Sequence, residues 1–233
     1  MKKIITFDGV SASGKSTAAK MTANRLGIYY LASGLVYRFS SFIEKFNDIN
    51  LKEIVDLVEA GNVQYIWDGR EPHIIINETD ITRNLESNEV ANLTSLNANS
   101  PEKIIVLNQI IYALIRRNAI DEFTIDGRNV GSALFHNAHY KFYITADPII
   151  RAQRRYEELK KAQSNVTLQQ VYNDLLARDE RDKNRELYPL SIPDKAIIID
   201  TSHITNKEML EQILENISLN EDREIKQSDH QLH

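Results

Sequence analysis

The chain has 233 residues, 42% of them hydrophobic, a formal net charge of −5 and no cysteine. That length and apolar content supply a sizeable core, and the acidic balance, with a pI near 5.7, argues against a broad nucleic-acid surface. The missing thiols exclude a disulfide framework, a thiolate zinc site and a cysteine nucleophile; with no apolar run near the ~20 residues of a membrane span, a cytoplasmic protein without membrane or nucleic-acid partners is expected.

The first predicted element is the apolar run Ile4-Ile5-Thr6-Phe7, read as a buried strand because Asp8 and a Gly/Ser-rich loop cut it too short for a signal peptide. The loop is Gly9-Val10-Ser11-Ala12-Ser13-Gly14-Lys15-Ser16, and helical periodicity then covers 15–26. Strand, glycine-rich loop and helix in that order bring backbone N–H groups and a helix N-terminus to one point, where polyphosphate charge is favoured. Gly9 and Gly14 permit the loop's dihedrals, Lys15 is placed to reach the β- and γ-phosphates, Ser16 to ligate Mg²⁺, and Thr17 closes the ATP-binding segment.

A helical pattern covers 34–46, and 63–67 with 73–77 around Asp68-Gly69-Arg70 predict a small antiparallel hairpin beside the main sheet. Further helices are predicted over 101–118, 148–162, 168–178 and 206–217, with apolar strands at 123–125, 141–144 and 196–199. The alternation gives an α/β fold, a P-loop core in three layers around a parallel sheet. Asp126, at the end of its strand, suits a Mg²⁺-holding carboxylate alongside Ser16. Residues 218–233 are polar without an apolar period and predict a disordered tail, in which His230 and His233 are solvated rather than metal ligands.

Arginines gather in Ser33-Gly34-Leu35-Val36-Tyr37-Arg38, in Asp126-Gly127-Arg128, at Arg151, Arg154 and Arg155, and at Arg178, Arg181 and Arg185. Together with the P-loop these five segments resemble, in order and spacing, the bacterial-type cytidylate kinases, and the resemblance covers nearly all of 1–217. It implies a nucleoside monophosphate kinase with ATP and Mg²⁺, CMP or dCMP as acceptor, small nucleotides as its partners and a monomeric state. The implied core is about 1–34, 97–173 and 193–217, with a small β-containing acceptor-binding insert at 35–96 and a helical lid at 174–192.

By that family pattern Lys15, Arg128, Arg178, Arg181 and Arg185 are catalytic. Ser33, Arg38, Ser95, Arg128, Asn129 and Asp182 bind the acceptor, and Arg151 and Arg155, four apart on one helix face, meet the donor nucleotide. Arg154 is assigned to another face and left out. Three base-side positions depart from the family: Asn129 stands for the second Asp of Asp-Gly-Arg-Asp, Ile104 for the Arg of the Glu-Val-Ala-Asn…Ser…Pro-x-x-Arg pattern, and Ala32 for the Asp before Ser33-Gly34. A kinase of the same fold for UMP or a modified nucleotide, and a non-catalytic ATP-binding regulatory protein, stand as alternatives.

Overall fold

The computed structural model describes residues 3–161 and 166–230. In chain order they form β1 (Ile4–Gly9), α1 (Lys15–Leu26), β2 (Tyr29–Ala32), α2 (Ser33–Phe46), α3 (Leu51–Glu59), β3 (Val63–Trp67), β4 (Pro72–Ile76), β5 (Thr79–Asp80), a 3₁₀ turn at Thr82–Glu86, α4 (Asn88–Asn97) and α5 (Pro101–Arg117). Then come β6 (Phe123–Asp126), a π-helical turn at Val130–Leu134, β7 (Tyr140–Thr145), α6 (Pro148–Lys161), α7 (Leu168–Lys183), β8 (Ile197–Asp200) and α8 (Asn206–His230).

Five strands make an all-parallel sheet in the order β2-β6-β1-β7-β8, and β3-β4-β5 make a separate antiparallel sheet. The parallel strands alternate between two apolar faces. Ile5, Phe7, Phe142, Ile144 and Ile199 pack beneath α1 and α8, with Phe7 stacked on Phe142 at 5.3 Å. Leu31, Phe123 and Ile125 look the other way, into a larger cluster built with α2, α3, β3, β4 and α5. Because helices cover both faces, the polar ends of the strands are what remains open, and β1, β2 and β6 all end beside the start of α1.

Local signals fix several boundaries. Asn50 and Glu53 form a capping box on α3, Ser100 caps α5 with Pro101 at its first turn, and Thr167 and Gln170 form the box that starts α7. Two predicted helix ends fall short. α7 continues past 178 to Lys183, so Arg178, Arg181 and Asp182 share one helix. α8 continues past 217 to His230 where an irregular tail was expected: no glycine or proline follows Pro193, and the polar residues there include several good helix formers. The end of the helix predicted at 162 and the tail residues 231–233 lie outside the described residues.

Candidate active site

Gly9 ends β1 with φ 152°, and a Cβ there would stand 2.0 Å from the Ile144 carbonyl oxygen of the neighbouring strand, so no other residue fits. The loop then wraps over the N-terminus of α1, with Gly14 left-handed at φ 90° as its N-cap. Lys15 is folded back beneath the loop, its Nζ donating to the Val10 carbonyl at 3.1 Å. Burial, and next the charge of Arg128, pull the Lys15 pKa down to about 7. Ser16 Oγ donates to Asp126 Oδ2 at 2.6 Å, bringing together the two residues expected to hold Mg²⁺.

Two adjoining cavities open here, of about 270 and 510 Å³. The smaller lies toward α4 and takes in Ser33, Ser95, Asn129 and Asp182; the larger lies over the loop and takes in Ser11, Thr17, Arg154 and Arg155. Lys15, Ser16, Arg38, Arg128 and Arg178 border both. Such a concentration of cations at a junction is stable only with counter-charges, and Asp182 supplies one. It is 2% exposed, accepts from Arg128 Nε at 2.8 Å and is ion-paired with Arg185. Burial alone would raise its pKa, but Arg128, Arg185 and Arg178 outweigh it and hold the carboxyl below its ordinary value. Arg128 also donates from Nη2 to Ser11 Oγ at 3.1 Å, tying the acceptor side to the loop. Arg178 is an exposed side chain on the walls of both cavities, and desolvation by the protein around it, followed by the charge of Arg128, lowers its pKa to about 10.

Two expected arginines fall elsewhere. Arg151 is 4% exposed and donates to the Ser11 carbonyl at 3.0 Å, to the Ala146 carbonyl at 3.0 Å and to Asp179 Oδ2 at 2.5 Å, while Asp179 Oδ1 accepts from the Ser11 N–H at 3.0 Å. It is a strut under the loop, not a donor-facing group. Arg154, assigned to another face from spacing, borders the larger cavity with Arg155 and donates to Thr201 Oγ1 at 2.9 Å. Four-residue spacing fixes direction around a helix, but Arg151 lies in its first turn, where a long side chain reaches beneath the loop. Arg181 is exposed, donates from Nε to the Ala177 carbonyl and borders neither cavity.

The remaining positions lie in the loop or on the cavity walls. Arg38 borders both cavities, with Nη1 held by the Leu85 carbonyl at 3.1 Å. Ser33 Oγ is spent on the Asp126 carbonyl at 2.6 Å. Val10 and Ser13 are buried within the loop, and Ala12 takes the left-handed φ of 56°. Asn129 is 4% exposed and borders the smaller cavity with its Nδ2 unpartnered. Ile104 is fully buried in the core, and Lys103 is occupied by Glu44 and Asn97, so neither borders that cavity.

Sequence reasoning missed Asp8, whose carboxylate accepts from the Val130 and Gly131 N–H groups at 2.7 Å each and is pushed up to about 6 by burial despite those bonds. It also missed Tyr30 and Asp179. A polar residue inside an apolar strand was the available signal for Asp8; Asp179 reads in sequence as one more charge on a solvated helix.

The cytidylate kinase family matches residues 5–219 of this chain. The chain is 33% identical over 220 residues to the cytidylate kinase of Clostridioides difficile (strain 630), covering 93% of this chain and 98% of that one. It is 33% identical over 221 residues to the cytidylate kinase of Aquifex aeolicus (strain VF5), covering 91% and 95%. Among solved structures it shares its fold with an uncharacterized protein from Eubacterium ventriosum ATCC 27560, with a TM-score of 0.52 at 17% identity over 94% of this chain and 99% of that one. With a complete P-loop, an arginine-lined junction and this similarity along almost its whole length, the chain belongs to the cytidylate kinase family.

Proposed function

We propose that this enzyme transfers the γ-phosphoryl group of ATP to CMP or dCMP. The observation that carries the reading is the junction: Lys15, Ser16, Arg38, Arg128 and Arg178 border both cavities, so two phosphorylated ligands would meet end to end across them. The larger cavity takes the donor and the smaller the acceptor. Ser16 in the first turn of α1 and Asp126 at the end of β6 are hard oxygen donors, a pair that would hold Mg²⁺. When bound, that ion supplies charge neutralisation between the donor phosphates.

The chain's own groups do the rest. An acceptor phosphate arrives already ionised, so no general base is required, and one of its oxygens displaces ADP from the γ-phosphorus. Arg38 and Arg128 fix that phosphate with forked donors, while Lys15 and Arg178 stand where negative charge spreads during transfer. Asp182 holds Arg128 and Arg185 by ion pairs and is a partner for the ribose. Residues 35–96 act as acceptor-binding insert and 174–192 as lid, excluding water so that ATP is spent on acceptor rather than hydrolysed. No helix among the described residues is long and apolar enough to cross a membrane, and we place the reaction in the cytoplasm, by a monomer. The test is ADP release with and without CMP: strong dependence on CMP supports transfer, and equal rates would reject it.

A further inference from the structure

Both carboxylate oxygens of Asp126 are engaged. Its Oδ2 accepts from Ser16 Oγ at 2.6 Å, and its Oδ1 accepts from the Tyr30 hydroxyl at 2.8 Å. The residue is pinned at its backbone as well, since Ser33 Oγ donates to its carbonyl. A carboxylate's terminal torsion is broad and nearly two-fold, so a lone Asp at a strand end would swing between orientations. Donors on opposite oxygens remove that freedom. In the sheet register Asp126 lies beside Ala32, whose methyl group brings no second carboxylate from β2, so orientation rests on this one side chain.

Tyr30 is itself held. It is 1% exposed, and the edge of Trp67, the chain's only tryptophan, meets its ring at 5.1 Å and 76°. Trp67 is fixed in turn through the neighbouring strand: its backbone N–H donates to Tyr29 Oη at 3.1 Å, Tyr29 Oη donates to the Tyr65 carbonyl at 2.8 Å, and Tyr65 Oη accepts from the Ala32 backbone N–H at 2.8 Å. The hairpin thus braces the back of Tyr30 while its hydroxyl faces the cleft, bordering the smaller cavity.

We propose that Tyr30 is a positioning residue for phosphoryl transfer: its hydroxyl, braced by Trp67, holds Asp126 so that Oδ2 faces Ser16 and the divalent cation. The inference rests on the function proposed above. A group that orients a metal ligand in this way typically governs about 10- to 100-fold in metal affinity or activity.

Tyr30→Phe removes only the hydroxyl and keeps the ring against Trp67. The half-saturating Mg²⁺ concentration for CMP-dependent turnover should rise about 10-fold, with KM for CMP unchanged at saturating Mg²⁺. A second readout needs no turnover. Trp67 emission, titrated with ADP in EDTA and again with Mg²⁺, should show the Mg²⁺-dependent gain in ADP affinity shrinking by a similar factor, with affinity in EDTA unchanged. Tyr29→Phe is the control: it loosens the same hairpin without touching Asp126, so it should lower the melting temperature and leave Mg²⁺ dependence at the wild-type value. Wild-type Mg²⁺ dependence in Tyr30→Phe, or an equal shift in Tyr29→Phe, would overturn the proposal. Failure of wild-type turnover would count against the assigned reaction instead, and the ADP titration would still decide the role of Tyr30.

Discussion

The two ends of the cleft are built on opposite principles. At the phosphate junction charged groups are held by fixed polar partners: Arg128 by Asp182 and Ser11, Arg185 by Asp182, Lys15 by the Val10 carbonyl, and Asp126 by Ser16. At the end toward α4, proposed here to take the base, the wall includes the small neutral residues Ala91, Thr94, Ser95 and Ala98 with Asn129, and Lys103 is tied up by Glu44 and Asn97. A rigid charged cage suits a reaction in which charge spreads, because its dipoles need not reorganise. A base pocket with few fixed polar groups discriminates less, since a wrong base leaves fewer of them unpaired.

The largest expected effect lies at the junction. Lys15→Ala should lower kcat by about 10³-fold, equivalent to about 4 kcal/mol of transition-state stabilisation, in steady-state assays at saturating nucleotide. A loss under tenfold would mean the cage is redundant there. Next comes the strut. Arg151→Ala leaves Asp179 as a buried, unpaired charge and should cost about 3–5 kcal/mol of stability in denaturant unfolding. Arg155→Ala, at an exposed pair with Glu158, should leave stability within about 1 kcal/mol and chiefly raise KM for ATP.

The base end should respond more gently. Asn129→Asp supplies a carboxylate able to accept from the cytosine amine, and the ratio of kcat/KM for CMP over UMP should rise about tenfold. An unchanged ratio would place base reading elsewhere. The smallest effect is a proton count. The folded-state pKa of Lys15, about 7, lies below its ordinary 10.5, so between those values the unfolded chain binds more protons there. This group's contribution to stability therefore rises with pH across that window. Polyphosphate bound against Lys15 restores its charge, and calorimetry of ATP binding at pH 8 in buffers of different ionisation enthalpy should show uptake of about one proton.

How far the sequence disclosed these two ends differs as well. The loop from Gly9 to Ser16, Arg38, Arg128, Arg178 and Asp126 were legible because strand-loop-helix order and family spacing specify them. The shortest elements were not: β2 has four residues and α4 ten, and α3, with nine, was passed over although Leu51, Ile54 and Val58 repeat at helical spacing behind the Asn50 cap. Arg151 and Arg154 were exchanged because spacing gives azimuth and not depth. Ile104 was legible as a departure, yet only its burial at 0% exposure shows that Ile104→Arg would place a cation in the core rather than restore a base contact.

The central claim is most directly tested by initial rates for the wild-type enzyme with ATP and Mg²⁺ across a panel of monophosphates, CMP, dCMP, UMP, AMP and GMP. Turnover is expected with CMP and dCMP, less with UMP, and none above background with the purines. No transfer to CMP, or preference for a purine acceptor, would contradict it.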